Sequence, residues 1–252
     1  MDLIQAIFLG FLQGIFEWLP VSSQGNISAI ALTLFNLSVE KASSYAIFLH
    51  MGTLFSAIIY FRREIKALLK LENKPLLKFL IIAVISTALT ALPSYLFLKS
   101  LLTNAFILLL AIGIFLIITG LIQKFVRKSG QAVFSNKNAF FLGLGQGFSV
   151  LPGISRSGTT TSVLLFEGFE PEQAFRTSFL LSIPSVLIAE IIFNMFEPTI
   201  FDLNIITALV TAAITGFLSI DLLIRLAKKI RFSLFCFLFG ILYIIIALTN
   251  FI

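Results

Sequence analysis

Long apolar stretches separated by basic loops constrain this chain more than any other feature of its sequence. A helix needs about 20 apolar residues to cross the roughly 30 Å hydrocarbon core of a bilayer. Six stretches meet or nearly meet this length: 44–61, 79–98, 105–123, 174–196, 205–224 and 233–251. Only 12% of the 252 residues are charged, about half the share found in soluble domains. The sequence therefore predicts an all-α polytopic membrane protein, a single membrane domain with six transmembrane helices.

Basic residues are concentrated in three loops, and this distribution predicts the orientation of the chain. Segments 62–78, 124–137 and 225–231 hold most of the 18 lysines and arginines. Cytoplasmic loops carry an excess of Lys and Arg, so these three loops are predicted to be cytoplasmic and both termini to lie outside. Topology thereby accounts for the net charge of +6, and nucleic acid is not an expected partner.

Two further apolar regions, 3–35 and 139–167, are too broken to cross the membrane. Proline, glycine and polar residues interrupt the first at residues 18–26 and the second at residues 151–159. Each region fits two short half-helices that enter the bilayer and return. Such backbone is tolerated at that depth only where protein buries it or where it lines a wet cavity. We therefore expect two re-entrant helix hairpins in addition to the six spans.

The two broken regions match each other, which predicts an internal repeat. Residues 9–14 (LGFLQG) resemble residues 142–147 (LGLGQG), and three spans follow each copy. The copies should enter the membrane from opposite faces, as inverted repeats of about 1–126 and 134–252. The tips of the two hairpins, where each apolar region is interrupted, should then meet near the midplane of the bilayer. Chance similarity between two apolar, glycine-containing stretches is the alternative, and the independent topology argues against it.

Arg156 in the second tip is the strongest candidate for ligand binding. An ionisable side chain at membrane depth is costly unless it has a partner or faces water. Gly153 allows close backbone approach, and Ser155 and Ser157 flank the arginine at the start of a half-helix. Such donors predict an anion site, most naturally for phosphate. A structural ion pair with Glu17 is the alternative, and the two roles are compatible.

Glu17 in the first tip has two candidate roles beside a phosphate. It follows Gln13 by one helical turn and could hold a divalent cation with help from that residue. It could also accept a proton from Ser22, Ser23 or a water molecule. The alternatives are that Glu17 only caps a helix or pairs with Arg156, and that one of the serines is an N-cap.

These motifs resemble those of the undecaprenyl-diphosphatase (bacitracin-resistance) family. The run Gln13-Gly-Ile-Phe-Glu17-Trp-Leu-Pro-Val-Ser-Ser23 resembles its first motif, and Leu151-Pro-Gly-Ile-Ser-Arg-Ser-Gly-Thr159 resembles its second. Two further stretches, His50-Met-Gly-Thr53 and Thr177-Ser-Phe-Leu-Leu-Ser-Ile-Pro184, also look like the family's. The resemblance covers essentially the whole chain in order.

The resemblance implies an integral membrane phosphatase. It would hydrolyse a polyprenyl (undecaprenyl-type) diphosphate to the monophosphate and phosphate, recycling the lipid carrier of cell-envelope glycans such as peptidoglycan, an activity linked to antibiotic resistance. It also implies a site that opens toward the outer face and needs a divalent cation, Mg²⁺ or Ca²⁺. The implied catalytic residues are Glu17, Ser22, Ser23 and Arg156, with Glu17 also the metal ligand, helped by Gln13. The expected substrate-binding residues are Gln13, Asn26, His50, Gly153, Ser155, Ser157 and Thr159.

Two departures from the family pattern bear on the chemistry. Gln13 replaces the commoner glutamate, and Asn26 stands where many members carry a histidine. Asparagine can hydrogen-bond a phosphate but cannot act as a general base. Proton transfer would then fall to Glu17 or to His50, the single histidine of the chain, although a lone histidine within a span is more often packing than chemistry.

The sequence leaves several alternatives open. A transporter or flippase of polyprenyl phosphate lipids is the second candidate function, because inverted repeats with broken helices are the architecture of alternating access. The nucleophile is one of the two serines or water. The prenyl length and the oligomeric state, including a homodimer, are also open.

Overall fold

The computed structural model describes residues 1–126, 132–196, 203–227 and 231–250. Over these ranges the chain forms α-helices and one short 3₁₀ helix, Phe148–Val150, and no strand. In chain order the helices are α1 (Leu3–Phe16), α2 (Ser23–Thr33), α3 (Val39–Phe48), α4 (His50–Tyr60), α5 (Arg62–Leu69), α6 (Lys74–Leu101), α7 (Ala105–Phe125), α8 (Asn136–Gly147), α9 (Arg156–Phe166), α10 (Pro171–Phe196), α11 (Leu203–Ala227) and α12 (Ser233–Asn250).

Five helical segments within the described ranges are long and apolar enough to cross a membrane. They are the joined α3 and α4, then α6, α7, α10 and α11. The sixth predicted stretch forms α12, a shorter apolar helix of 18 residues that packs along α7; its predicted end at residue 251 lies outside the described residues. Leu89, Leu92 and Leu96 on α6 are each at least 60% exposed, as expected of side chains that face lipid. The all-α, polytopic prediction is confirmed.

Two pairs of short helices occupy the two broken regions. Helices α1 and α2 have 14 and 11 residues, and α8 and α9 have 12 and 11. At 1.5 Å per residue the longest of these is about 21 Å, shorter than the roughly 30 Å hydrocarbon core. None of them crosses a bilayer alone. Their re-entrant placement stays a prediction.

The second helix of each pair begins with the same capping bond. The Ser22 hydroxyl oxygen accepts from the backbone N–H of Gly25, and the Ser155 hydroxyl oxygen accepts from that of Gly158. A serine oxygen at this position satisfies one of the four N–H groups that a helix N-terminus leaves unpaired. Ser22 and Ser155 are 133 positions apart, so the repeated sequence produces the same local structure twice.

Glycines on the first helix of each pair allow it to pack closely against a long helix of the other half. On α1, a Cβ at Gly14 would lie 2.7 Å from the backbone nitrogen of Gly216 on α11. On α8, a Cβ at Gly147 would lie 2.6 Å from the backbone nitrogen of Ala91 on α6. Small residues permit such backbone contact between membrane helices. The first helix of each pair therefore packs on a long helix of the other half, which brings the two broken loops together.

The basic segments are only partly described. Segment 62–78 contains α5, an eight-residue helix without buried residues. Segments 124–137 and 225–231 include residues 127–131 and 228–230, which lie outside the described residues. The sidedness of these loops and of the termini stays a prediction.

Gly147→Ala tests the packing of α8 on α6. Its methyl group would lie 2.6 Å from both the Ala91 nitrogen and the Thr87 carbonyl oxygen, so the helices must separate. Overpacking of this kind costs about 1–3 kcal/mol, and we expect a thermal unfolding midpoint in detergent several degrees below wild type. Gly145→Ala is the matched control, because its closest contact is the Val163 Cγ2 methyl at 3.1 Å. Equal midpoints for the two variants would contradict the packing argument.

Candidate active site

A small polar cavity lies where the α1–α2 loop meets the α8–α9 loop. Its volume is about 30 Å³, room for roughly two water molecules. It is lined by Glu17, Leu19, Ser22, Ser23, Gln24, His50, Ser149, Ile154, Ser155, Arg156 and Ser157. Most residues singled out from the sequence are therefore here, whereas Gln13, Asn26, Gly153 and Thr159 lie outside the lining.

Glu17 and Arg156 form an ion pair between the two loops. Glu17 caps the C-terminus of α1, and Arg156 is the first residue of α9, 139 positions away in sequence. An Arg156 Nη2 donates to Glu17 Oε1. The carboxylate side chain is 6% exposed and the guanidinium 14%. The structure thus brings together the two charges that the repeat predicted to meet.

The guanidinium of Arg156 contacts an aromatic ring and keeps one donor without a partner. Its Cζ lies 5.6 Å from the centre of the Phe179 ring, a cation–π contact that fixes the guanidinium plane. Its Nη1 is buried and has no hydrogen-bond partner. A buried donor left unpaired is costly, so this nitrogen is ready for an acceptor such as a phosphate oxygen.

The second carboxylate oxygen of Glu17 accepts hydrogen bonds from side chains of α1 and α2. The Ser23 hydroxyl donates to Oε2 at 2.8 Å, and the Gln13 Nε2 donates to it at 3.1 Å. The His50 Nε2 lies 3.3 Å from the same oxygen. Glu17 is therefore the centre of a polar network in which Ser23, His50 and Arg156 are neighbours.

His50 reaches the cavity because the span that carries it is interrupted. The residue begins α4, directly after the junction with α3 at Leu49. Its Nδ1 lies 2.9 Å from the carbonyl oxygen of Ile47, and its Nε2 lies 3.3 Å from the Ser23 hydroxyl oxygen. The packing interpretation of this histidine is therefore insufficient, since one ring nitrogen faces the cavity.

Ser22 has a structural position that differs from that of Ser23. Its backbone is in the left-handed region (φ 60°), and its side chain is 4% exposed. Its hydroxyl oxygen accepts from the Gly25 nitrogen at 3.3 Å and from the Gly153 nitrogen at 3.0 Å. Ser22 is thus the N-cap, and it also ties the first loop to the second.

The loops are tied at two further points. The Ser157 hydroxyl donates to the carbonyl oxygen of Leu19 at 3.2 Å. A Cβ at Gly25 would lie 2.7 Å from the nitrogen of Gly153, whose own φ is +106°. Only glycine suits either place, because one is too crowded for a side chain and the other has a left-handed backbone. These contacts bring Ser23 and Arg156 to the same cavity.

Asn26 lies behind the cavity, and its amide is fully engaged. Its Nδ2 donates to the carbonyl oxygens of Val21 at 2.7 Å and Ser22 at 2.9 Å, and its Oδ1 accepts from the Tyr243 hydroxyl at 2.7 Å. The side chain is 0% exposed. Its expected contact with phosphate does not fit this geometry, and it supports the Ser22 turn instead.

The remaining predicted residues surround the cavity. Gln13 is fully buried behind Glu17, and Thr159 is buried on α9 with an unpartnered hydroxyl. Gly153 contributes its backbone. The cavity also contains Gln24 and Ser149, which belong to the polar tips but were not among the predicted site residues. Phe179 was missed too, because no spacing rule relates an aromatic residue of one span to an arginine of a distant loop.

The side chains present do not fit a resident divalent cation. Ca²⁺ and Mg²⁺ need several oxygen ligands, usually with more than one carboxylate. Glu17 is the single carboxylate of the cavity lining, and its oxygens already face Arg156, Ser23 and Gln13. Because Gln13 turns its N–H toward Glu17, its carbonyl oxygen points elsewhere. The described residues contain no cluster of three or more metal-binding side chains.

Known proteins are similar to this chain over nearly its whole length. The family described as "Bacitracin resistance protein BacA" matches residues 6–245. A protein of Methanococcoides burtonii named undecaprenyl-diphosphatase is 39% identical, over 97% of this chain and 98% of its own. Proteins with the same name from Methanothrix thermoacetophila and Haloarcula marismortui are 38% and 36% identical. They cover 99% and 94% of this chain, and 98% and 94% of their own lengths.

The matching region contains both loops of the cavity, all five apolar spans and most of α12. A match of this extent, together with relatives of nearly the same length, shows the resemblance that the two motifs indicated. The chain is a multi-pass membrane protein and belongs to the bacitracin resistance protein BacA family.

Proposed function

We propose that this chain is a membrane hydrolase that converts a polyprenyl diphosphate to the monophosphate and phosphate. The observation that carries the proposal is the position of Ser23 in a buried polar cavity, where it donates to Glu17 and where Arg156 is also part of the lining. The names of the relatives support the same chemistry. On this proposal the protein returns a lipid carrier to its monophosphate form for cell-envelope glycan synthesis.

Arg156 binds the terminal phosphoryl group in this proposal. Its Nη1 supplies a charge-assisted hydrogen bond, and Phe179 and Glu17 hold the guanidinium so that little reorganisation accompanies binding. Donors fixed in advance around a phosphoryl group stabilise the charge of the transition state more than flexible donors do. The cavity of about 30 Å³ must widen to accept the diphosphate.

Ser23 is the nucleophile in this proposal. Both serines of the loop line the cavity, but the Ser22 oxygen already accepts two backbone N–H groups, whereas Ser23 donates to a carboxylate. A hydroxyl beside acceptor groups can lose its proton as it attacks phosphorus. Of the alternatives that the sequence left open, the geometry favours Ser23.

The membrane placement explains how a lipid substrate reaches these residues. We propose that the short pairs α1–α2 and α8–α9 are re-entrant hairpins whose loops meet inside the bilayer. Buried within protein, such irregular backbone is tolerated at membrane depth. The prenyl tail would then stay in lipid, and Leu19 and Ile154 give the cavity its apolar wall. The orientation with cytoplasmic basic loops and external termini belongs to the same proposal.

The second candidate function is transport of polyprenyl phosphate lipids. It is favoured by the corresponding glycine contacts of α1 on α11 and of α8 on α6, because paired repeats of this kind rock against each other in transporters. Phosphate release from undecaprenyl diphosphate by purified protein decides between the two. Well-folded protein that binds the lipid but releases no phosphate would support the transporter.

Arg156→Lys is expected to lower kcat/KM for phosphate release by about 10²–10³-fold. Lysine keeps the charge but not the planar set of donors, so it cannot bond Glu17 and phosphate together. Arg176→Lys is the matched control, because Arg176 also stacks on a phenylalanine and pairs with a glutamate, Glu64, outside this cavity. Equal losses in both variants would argue against a specific role for Arg156.

Ser23→Ala should act mainly on phosphate release, and Ser22→Ala should act mainly on the thermal midpoint. Ser23→Ala should abolish phosphate release and lower the thermal midpoint less than Ser22→Ala does, because Gln13 and Arg156 still donate to Glu17. Ser22→Ala should lower the midpoint, because two backbone N–H groups lose their acceptor, at about 1–3 kcal/mol for a buried polar group left unsatisfied. If Ser23→Ala still turned over at a rate near wild type, water rather than the serine would be the nucleophile.

Without lipid, the protein is expected to show no saturable binding of MgCl₂ or CaCl₂ by calorimetry, because Glu17 is already engaged by Arg156 and Ser23. We propose that any cation used in turnover is bound through the diphosphate itself. Saturable binding by wild type that Glu17→Gln removes would show instead that the side chains form a resident cation site.

A further inference from the structure

We infer that His50 accepts the proton of Ser23 in the hydrolysis proposed above, on which this inference rests, and is a catalytic residue. The geometry fixes which nitrogen is basic. His50 Nδ1 lies 2.9 Å from the Ile47 carbonyl oxygen. Because a carbonyl oxygen only accepts, Nδ1 carries the hydrogen, and Nε2 of the neutral ring keeps its lone pair.

That lone pair faces the nucleophile. His50 Nε2 lies 3.3 Å from the Ser23 hydroxyl oxygen. The hydroxyl hydrogen, which now points to Glu17, turns toward Nε2 by rotation about the Cβ–Oγ bond, without movement of heavier atoms. A separation of 3.3 Å is within the range from which catalytic hydrogen bonds tighten when substrate binds.

The other acceptors near Ser23 are already occupied. Besides the Ser23 hydroxyl itself, Glu17 receives donors from Arg156 and Gln13, whereas no other described residue donates to Nε2 of His50. Asn26, at the position where the resemblance places a histidine, has its amide bonded on both sides and cannot take up a proton. His50 Nε2 is therefore the acceptor beside Ser23 to which no other described side chain donates.

The proton transfer balances in both halves of the reaction. Ser23 Oγ bonds to the terminal phosphorus, its proton passes to His50 Nε2, and the bond from that phosphorus to the bridging oxygen breaks. The oxygen leaves with the electron pair on the polyprenyl monophosphate, which takes the proton from the imidazolium. Water then attacks the phosphorus of the phosphoserine and gives a proton to Nε2. The bond from phosphorus to the serine oxygen breaks, inorganic phosphate is released, and the serine oxygen takes that proton.

Glu17 makes the protonated histidine favourable. Its Oε2 lies 3.3 Å from Nε2, so the imidazolium that forms is paired at once with a carboxylate. Arg156 is the other charged residue of the cavity lining. On the helices packed against α4, Arg176 is paired with Glu64, and Asp221 is paired with Arg225 and bonds Tyr60 at the far end of α4. The imidazolium would therefore form beside Glu17 and Arg156, the two charged residues of the cavity lining.

His50→Gln tests the inference, because it keeps a polar group near the Nε2 position but cannot accept a proton. We expect kcat for phosphate release from undecaprenyl diphosphate to fall about 10²–10⁴-fold, with KM within a few-fold of wild type. Thr249→Ala, on the exposed side of α12, is the control and should keep the wild-type kcat and KM.

Two results would overturn the inference. A rise in KM with unchanged kcat would assign His50 to substrate binding, and a kcat within a few-fold of wild type in His50→Gln would assign the proton to another group. If wild type releases no phosphate, the proposed function fails, and covalent labelling of Ser23 then tests the inference separately. Diisopropyl fluorophosphate should then modify Ser23 in wild type but not in His50→Gln, as detected by mass spectrometry. Equal labelling of the two, or none in either, would contradict activation by His50.

Discussion

The ion pair between Glu17 and Arg156 is the interaction on which the site depends. A buried ion pair contributes little net stability, because removing both charges from water offsets most of their attraction, but removal of one partner leaves a costly isolated charge. Here the pair joins two loops that have no other charged contact with each other among the described residues. It leaves one guanidinium nitrogen unpaired. The pair therefore fixes the arrangement of the loops and holds a donor ready for an anion.

Backbone packing makes this pair attainable. Gly14 and Gly147 let α1 and α8 lie directly on helices of the opposite half, and Gly25 and Gly153 let the two loops touch. A side chain at any of these places would push the loops apart by more than a hydrogen bond tolerates. The Ser22 oxygen then bonds across the contact. Close packing of small residues is thus a condition for the chemistry as well as for the fold.

The two short helix pairs have matching N-caps but differ in the side chains that follow those caps. Ser22 and Ser155 are equivalent N-caps, so Ser23 and Arg156 occupy equivalent first positions of α2 and α9. One of these positions supplies a hydroxyl and the other a guanidinium. The position equivalent to Glu17 is Val150. The two equivalent positions therefore place different groups, a hydroxyl and a guanidinium, beside a single carboxylate.

The sequence by itself determined the fold class and indicated most of the residues that line the cavity. Apolar length, basic loops and the offset of the two motifs predicted the helical spans, the short helices and the meeting of Glu17 with Arg156, because these depend on local composition and spacing. Tertiary structure decided the rest. It made Ser22 a cap and Ser23 the hydroxyl that donates to Glu17, and it turned Asn26 away from the cavity and His50 toward it. Side-chain direction depends on backbone angles and on neighbours distant in sequence, such as Gly153 and Tyr243, and no pattern within one segment contains that information.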